Sequence, residues 1–147
     1  MTHKPLLAPG IHDIEEAELD NHFLSKFPGT TTREALIAGL KQYLQALRQY
    51  GIAFEIWLDG SFATDKQDPG DIDLVVFASS SDVNAMPAPY QVSLKRLFDR
   101  ANIKQTLGLD VLFAVAEDQN MRSYWRGWYG FDRDEQPKGI ARIELSP

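Results

Sequence analysis

The sequence predicts a single domain of the α/β (α+β) class. Three apolar runs, at 53–58, 71–77 and 108–115, have the β-branched and aromatic content of buried strands. Around them, in 31–51 and 90–102, apolar residues recur at helical spacing instead. Strands separated by helical segments in 147 residues fit one domain with a packed sheet.

Each element has its own signals. Residues 1–13, rich in Pro and Gly, read as an irregular arm. Asp13 is placed to cap a helix over 14–27, with Glu15, Glu16 and Glu18 in the first turn, where the helix dipole favours them. Pro28 and Gly29 stop it. Thr31 and Glu34 have capping-box spacing for the next helix. Leu36, Ile37, Leu40, Leu44 and Leu47 form its apolar face, Lys41, Gln45 and Arg48 its wet face, and Gly51 its C-cap. The strand at 53–58 breaks at Asp59-Gly60-Ser61, and a loop with Lys66, Pro69 and Gly70 leads to the strand at 71–77. Residues 78–89 read as a loop, 90–102 as an amphipathic helix, 117–128 as a short helix, 132–139 as a charged turn and 140–145 as a closing strand.

Composition removes several function classes. The absence of cysteine rules out disulfides, thiolate zinc sites and cysteine nucleophiles. A net charge of −6 disfavours a sequence-independent grip on long DNA or RNA. It does not disfavour a small anionic ligand carried in with a divalent metal. Residues 1–10 lack the pattern of a signal peptide, and no segment has the length and apolarity of a membrane span, so a cytoplasmic location without membrane contact is expected.

Three features carry chemistry. Gly60-Ser61 follows a buried strand, where glycine permits a tight turn and close approach of a phosphate to peptide N–H groups, and the serine hydroxyl adds a donor. Asp71 and Asp73 lie two apart on a strand, so they share a face while Ile72 and Leu74 enter the core. Adjacent carboxylates are costly to bury unless a cation neutralises them, and hard oxygen ligands suit Mg²⁺ or Mn²⁺. Asp110 stands alone inside an apolar strand and completes a cluster of acids if that strand neighbours the one bearing Asp71.

With G-S at 60–61, D-I-D at 71–73 and an acid at 110, the chain resembles the DNA polymerase β-like nucleotidyltransferase superfamily. The string W-L-D-G-S-F-A-T-D-K-Q-D-P-G-D-I-D-L is similar to a small bacterial group within it. The opening L-A-P-G-I-H and the tail P-K-G-I-A-R-I carry that resemblance over most of the chain. The resemblance implies a minimal nucleotidyltransferase fold, a short mixed sheet with helices mainly on one face. It implies transfer of a nucleotidyl group from a ribo- or deoxyribonucleoside triphosphate to a hydroxyl, with release of pyrophosphate. Asp71 and Asp73 would hold the metal escorting the triphosphate. All three acids would hold a second ion, Asp110 would accept the hydroxyl proton, and Gly60 and Ser61 would cradle the phosphates. The acceptor stays open among a protein side chain, an RNA end and another nucleotide. Compact relatives serve in phage-defence and toxin–antitoxin modules, which brings in a signal-nucleotide product and a protein partner encoded nearby. Base recognition would fall to the N-terminal helices, the aromatic segment or a partner. The rival reading is a catalytically silent nucleotide-sensing or antitoxin-type binding subunit.

Plainer readings stand beside these. Asp110 has an alternative as the ion-pair partner of Arg96 or Arg100. Lys66 reaches a phosphate or is a solvated loop lysine. Asp59 and Asp65 serve turn geometry. Tyr124, Trp125, Arg126 and Trp128 stack on a base and grip phosphate, or the aromatics belong to the core, the commoner outcome at this spacing. Arg126, Arg133 and Lys138 compensate a triphosphate, or, for Arg133 and Lys138, lie on a wet turn.

Overall fold

The structure, a computed structural model, describes residues 3–131 and 137–147. Its centre is a five-stranded mixed sheet of β1 (Gly10–Asp13), β2 (Phe54–Asp59), β3 (Ile72–Ala78), β4 (Leu109–Val115) and β5 (Gly139–Leu145), in the order β1-β5-β2-β3-β4. β1 pairs with β5 and β3 with β4 in parallel; β2 runs antiparallel to both β3 and β5. The α/β (α+β) class expected from the sequence is the one observed.

The helices lie mainly on one face. The larger core combines that face with α1 (Leu19–Phe23), α2 (Arg33–Arg48), α4 (Ala88–Arg96) and α5 (Arg100–Leu107), through Leu19, Phe23, Leu40, Leu44, Leu94 and Ile103. On the other face α6 (Gln119–Tyr129) brings Trp125 and Tyr129 against Trp57, Val75 and Phe77. Burying side chains of this size contributes about 1.5–3 kcal/mol each before conformational entropy is subtracted. Among the described residues no helix is long and apolar enough to cross a membrane.

Several local expectations need correction. The end of the arm at 1–13 is β1, an edge strand too short to carry a pattern. The helix expected at 14–27 is only a 3-10 turn, Glu16–Glu18, followed by α1. Asp13 does not cap it, because its carboxylate is held by Arg142 at 3.0 Å. The Thr31–Glu34 capping box does not form either. Thr30 Oγ1 accepts from the Arg33 N–H at 3.3 Å, and the Thr31 N–H donates to Asp68 at 2.6 Å. Residues 78–89 hold α3 (Ser80–Ala85), with Ser79 accepting from the Asp82 N–H. The helix expected over 90–102 splits in two, because Asp99 starts α5 by accepting the Asn102 N–H at 3.3 Å. Arg133 and most of the expected charged turn lie outside the described residues.

Candidate functional site

Side-chain alternation sorts the acids onto one face. Ile72, Leu74 and Val76 enter the larger core, Val75 and Phe77 the smaller one. Asp73 shares the parity of Val75, and Asp71, just before the strand, follows the same alternation toward the α6 side. On β4, Leu109 and Val111 take the larger core, leaving Asp110 on the side of Ala114. On β2, Asp59 falls on the side of Trp57.

Strand register then brings the acids together. β3 and β4 place Asp73 beside Asp110, and β2 and β3 place Asp59 beside Asp73. Asp71, Asp73 and Asp110 are each half-buried, and each offers a carboxylate oxygen within 4.8 Å of the others. Asp71 and Asp110, expected from the sequence to meet only if their strands were neighbours, do meet. The glycine bend is part of the same construction. Gly60 has φ 84°, and a Cβ there would collide with the Asp73 carboxylate, so only glycine lets the turn and the acid occupy this space. Ser61 follows at the head of a 3-10 turn, Ser61–Ala63, closed by its carbonyl accepting from Thr64 Oγ1 at 2.6 Å.

Crowding sets the electrostatics. Burial, then the neighbouring Asp71 and Asp110, push the Asp73 carboxyl up to about 6. Burial pushes Asp59 up to about 7 despite its pairing with Lys138 Nζ at 3.1 Å. Asp59 is 1% exposed, and its Oδ1 has no hydrogen-bond partner among the described residues. Such a group is costly to bury. Two cations from α5 answer the remaining acids. Arg100 donates to both oxygens of Asp110, at 2.9 and 3.3 Å through Nη2, and Lys104 Nζ lies 3.2 Å from Asp71 Oδ2. The plainer reading of Asp110 as a partner of Arg100 therefore holds, together with its place in the acid cluster.

The chain belongs to DUF6932, a family of unknown function. The match runs over residues 1–144. Searches of curated proteins and of solved structures return no match. What the DUF6932 chain does must therefore be read from this site.

Lys66 is not in contact with the acids: among the described residues it forms no ion pair with them, and the fold uses its carbonyl, which accepts from Arg33 Nη2 at 2.7 Å. The aromatic segment divides. Trp125 packs into the smaller core, whereas Tyr124 and Trp128 are exposed, at 57% and 67%. Lys138 is not on a wet turn but paired with buried Asp59. Sequence reasoning missed four contributors. Asp59 was hidden by its Asp-Gly-Ser turn signature; its strand parity with Trp57 was the available clue. Lys104 was findable as the residue four after Arg100, on the same side of a helix. Tyr129, whose hydroxyl is held up by burial and by Asp73 and Asp59, continues the stripe of Met121 and Trp125. Arg33 gave no local clue at all.

Proposed function

We propose that the protein is a divalent-metal-dependent nucleotidyltransferase that uses Mg²⁺ or Mn²⁺. The observation that carries this reading is the convergence of Asp71, Asp73 and Asp110 beside the Gly60 bend, with carboxylate oxygens within 4.8 Å. Three half-buried carboxylates fit hard divalent cations, and the orphaned buried oxygen of Asp59 adds to a deficit of positive charge at this end of the sheet. Bound here, such ions would neutralise phosphate charge and acidify a hydroxyl.

In this reading Asp71 and Asp73 would hold the divalent ion, which would offset the charge of the triphosphate. The N–H groups of the Gly60-Ser61 bend and the Ser61 hydroxyl donate to phosphate oxygens. Asp110 takes the proton from the acceptor hydroxyl as its oxygen bonds to the α-phosphorus and pyrophosphate leaves. The acceptor is a protein side chain, an RNA end or another nucleotide. The presence of all three acids favours turnover over a silent nucleotide-sensing subunit. A setting in phage defence or a toxin–antitoxin module, with a partner encoded nearby and in the cytoplasm, belongs to the same proposal.

The test is incubation with each labelled nucleoside triphosphate and Mg²⁺ or Mn²⁺, with mass spectrometry to find where the label lands. Asp110→Ala is expected to keep metal-dependent triphosphate binding and to lose transfer by about 10²–10⁴-fold, the usual worth of a general base. Transfer by Asp110→Ala at the unaltered rate would remove Asp110 from the mechanism.

Metal binding should depend on pH. The Asp73 carboxyl ionises near 6, and a metal must displace its proton below that value. Mn²⁺ affinity, measured by calorimetry, is expected to be level above about pH 7 and to weaken toward tenfold per pH unit below about pH 6. A curve that stays flat down to about pH 4.5 would show that no carboxyl raised above the ordinary aspartate range takes part in binding the ion.

A further inference from the structure

We propose that Arg100 and Lys104 are cationic phosphate-binding residues of this site, in addition to the Gly60-Ser61 bend: they occupy the acids in the metal-free protein and transfer to triphosphate oxygens once a divalent cation takes the carboxylates. This rests on the nucleotidyltransferase reading and extends it to the anionic part of the substrate.

The placement comes from the fold. α5 packs on the larger core through Ile103, on the face away from the acids. Gly108, at φ 75°, a conformation that favours glycine, turns the chain sharply from α5 into β4. The helix is therefore held close against the start of β4, an edge strand. Arg100 and Lys104, one turn apart, reach past that strand to the acids on the other face, Arg100 to Asp110 and Lys104 to Asp71.

Their exposure argues against a fixed structural role. The side chains are 59% and 57% exposed, whereas Asp110 and Asp71 are 24% and 25% exposed. Exposed ion pairs of this kind contribute little to stability, and long cationic side chains reorient at small cost. A divalent cation entering the cluster competes for the same carboxylate oxygens. Once it binds, both side chains stand beside added positive charge and need an anion. The phosphate chain of a nucleoside triphosphate supplies it, and the Arg100 guanidinium already presents the forked donors that suit phosphate.

Two titrations test this, one without any phosphate and neither requiring catalysis. Mn²⁺ alone is titrated into the unaltered protein and into the Arg100→Ala/Lys104→Ala double variant. Inorganic tripolyphosphate is then titrated at saturating Mn²⁺. The expected result is a pair of opposite shifts. The double variant binds Mn²⁺ about tenfold more tightly, because no ion pair must break, and tripolyphosphate at least about tenfold more weakly. The charge-preserving Arg100→Lys/Lys104→Arg variant keeps both charges but moves the forked donor, so it should lose clearly less tripolyphosphate affinity than the double alanine variant. Unchanged or weaker Mn²⁺ binding by the double variant, or unchanged tripolyphosphate binding, overturns the proposal. A loss in the charge-preserving variant as large as that in the double variant also overturns it. An unaltered protein that binds no Mn²⁺ overturns the nucleotidyltransferase reading and this one with it. Mn²⁺ binding by both forms with equal tripolyphosphate affinity overturns this one alone.

Discussion

Asp73→Asn should abolish the metal response of the protein while making its metal-free form more stable. Asp73 sits between Asp59 and Asp110 in the sheet and against the Gly60 bend, so it is the acid most crowded by others. Its carboxyl is raised from 3.8 to about 6, chiefly by burial and then by Asp71 and Asp110. A raised acid favours the fold fully below about pH 3.8, and that contribution is lost as the pH climbs through about 6. Above that, the ionised group costs the metal-free fold on the order of 1–3 kcal/mol. Asparagine keeps the shape without the charge. The variant's advantage should therefore be absent below about pH 4, grow between about pH 4 and 6, and be complete above that. With metal the order reverses. Loss of a supporting residue around a metal typically costs 10–100-fold in affinity, so loss of a charged ligand should cost at least about 100-fold. Thermal melts followed by circular dichroism read both effects. Mn²⁺ should raise the midpoint of the unaltered protein and leave that of Asp73→Asn in place. An equal rise in both would remove Asp73 from the metal site.

The parts of this site that were legible in sequence are those set within one strand. Parity alone puts Asp71 and Asp73 on one side and Ile72 and Leu74 in the core, and the apolar run around Asp110 marks its strand. Register between strands was not legible. Asp73 meets Asp110 because the chain between β3 and β4 folds as α3, α4 and α5, and the break between the last two rests on one capping aspartate, Asp99. The same limit hid Asp59. Beside Gly60 it has the signature of a turn, and only pairing of β2 with β3 buries it opposite Asp73. β1 is four residues long and pairs with a strand at the far end of the chain, so no local pattern announces it. In α6 the amphipathic pattern was visible, but which aromatics turn inward depends on the sheet beneath. The stripe of Met121, Trp125 and Tyr129 meets Trp57 and Phe77, which leaves Tyr124 and Trp128 outside.

Arg33→Ala is expected to be the most destabilising single change away from the acids. Arg33 opens α2 and is fully buried. Nη1 donates to the carbonyls of Phe23 and Phe62 at 2.9 and 2.8 Å, and Nη2 to those of Thr64 and Lys66 at 2.8 and 2.7 Å. The guanidinium also lies over the Phe27 ring, 3.6 Å from its centroid. Burial lowers its pKa to about 10, so it stays charged at neutral pH. Three of the four carbonyls belong to 62–66, the segment that follows the Gly60-Ser61 bend. Arg33 thus fastens the segment after the Gly60-Ser61 bend to α2 and to the end of α1. Alanine would leave four carbonyls without these donors and a cavity beside the Phe27 and Phe62 rings. Losses of this kind sum to about 3–5 kcal/mol. At about 2–4 °C per kcal/mol for a chain of this size, the melting midpoint should fall by roughly 6–20 °C. Arg33→Lys keeps the charge but offers a single ammonium to four diverging carbonyls, so it should recover only part of that loss. Below its lowered midpoint, Arg33→Ala should also bind triphosphate more weakly than it binds Mn²⁺ alone, relative to the unaltered protein, because the acids are untouched and the bend is not. A midpoint within about 2 °C of the unaltered protein would mean that the loop holds itself in place without the guanidinium.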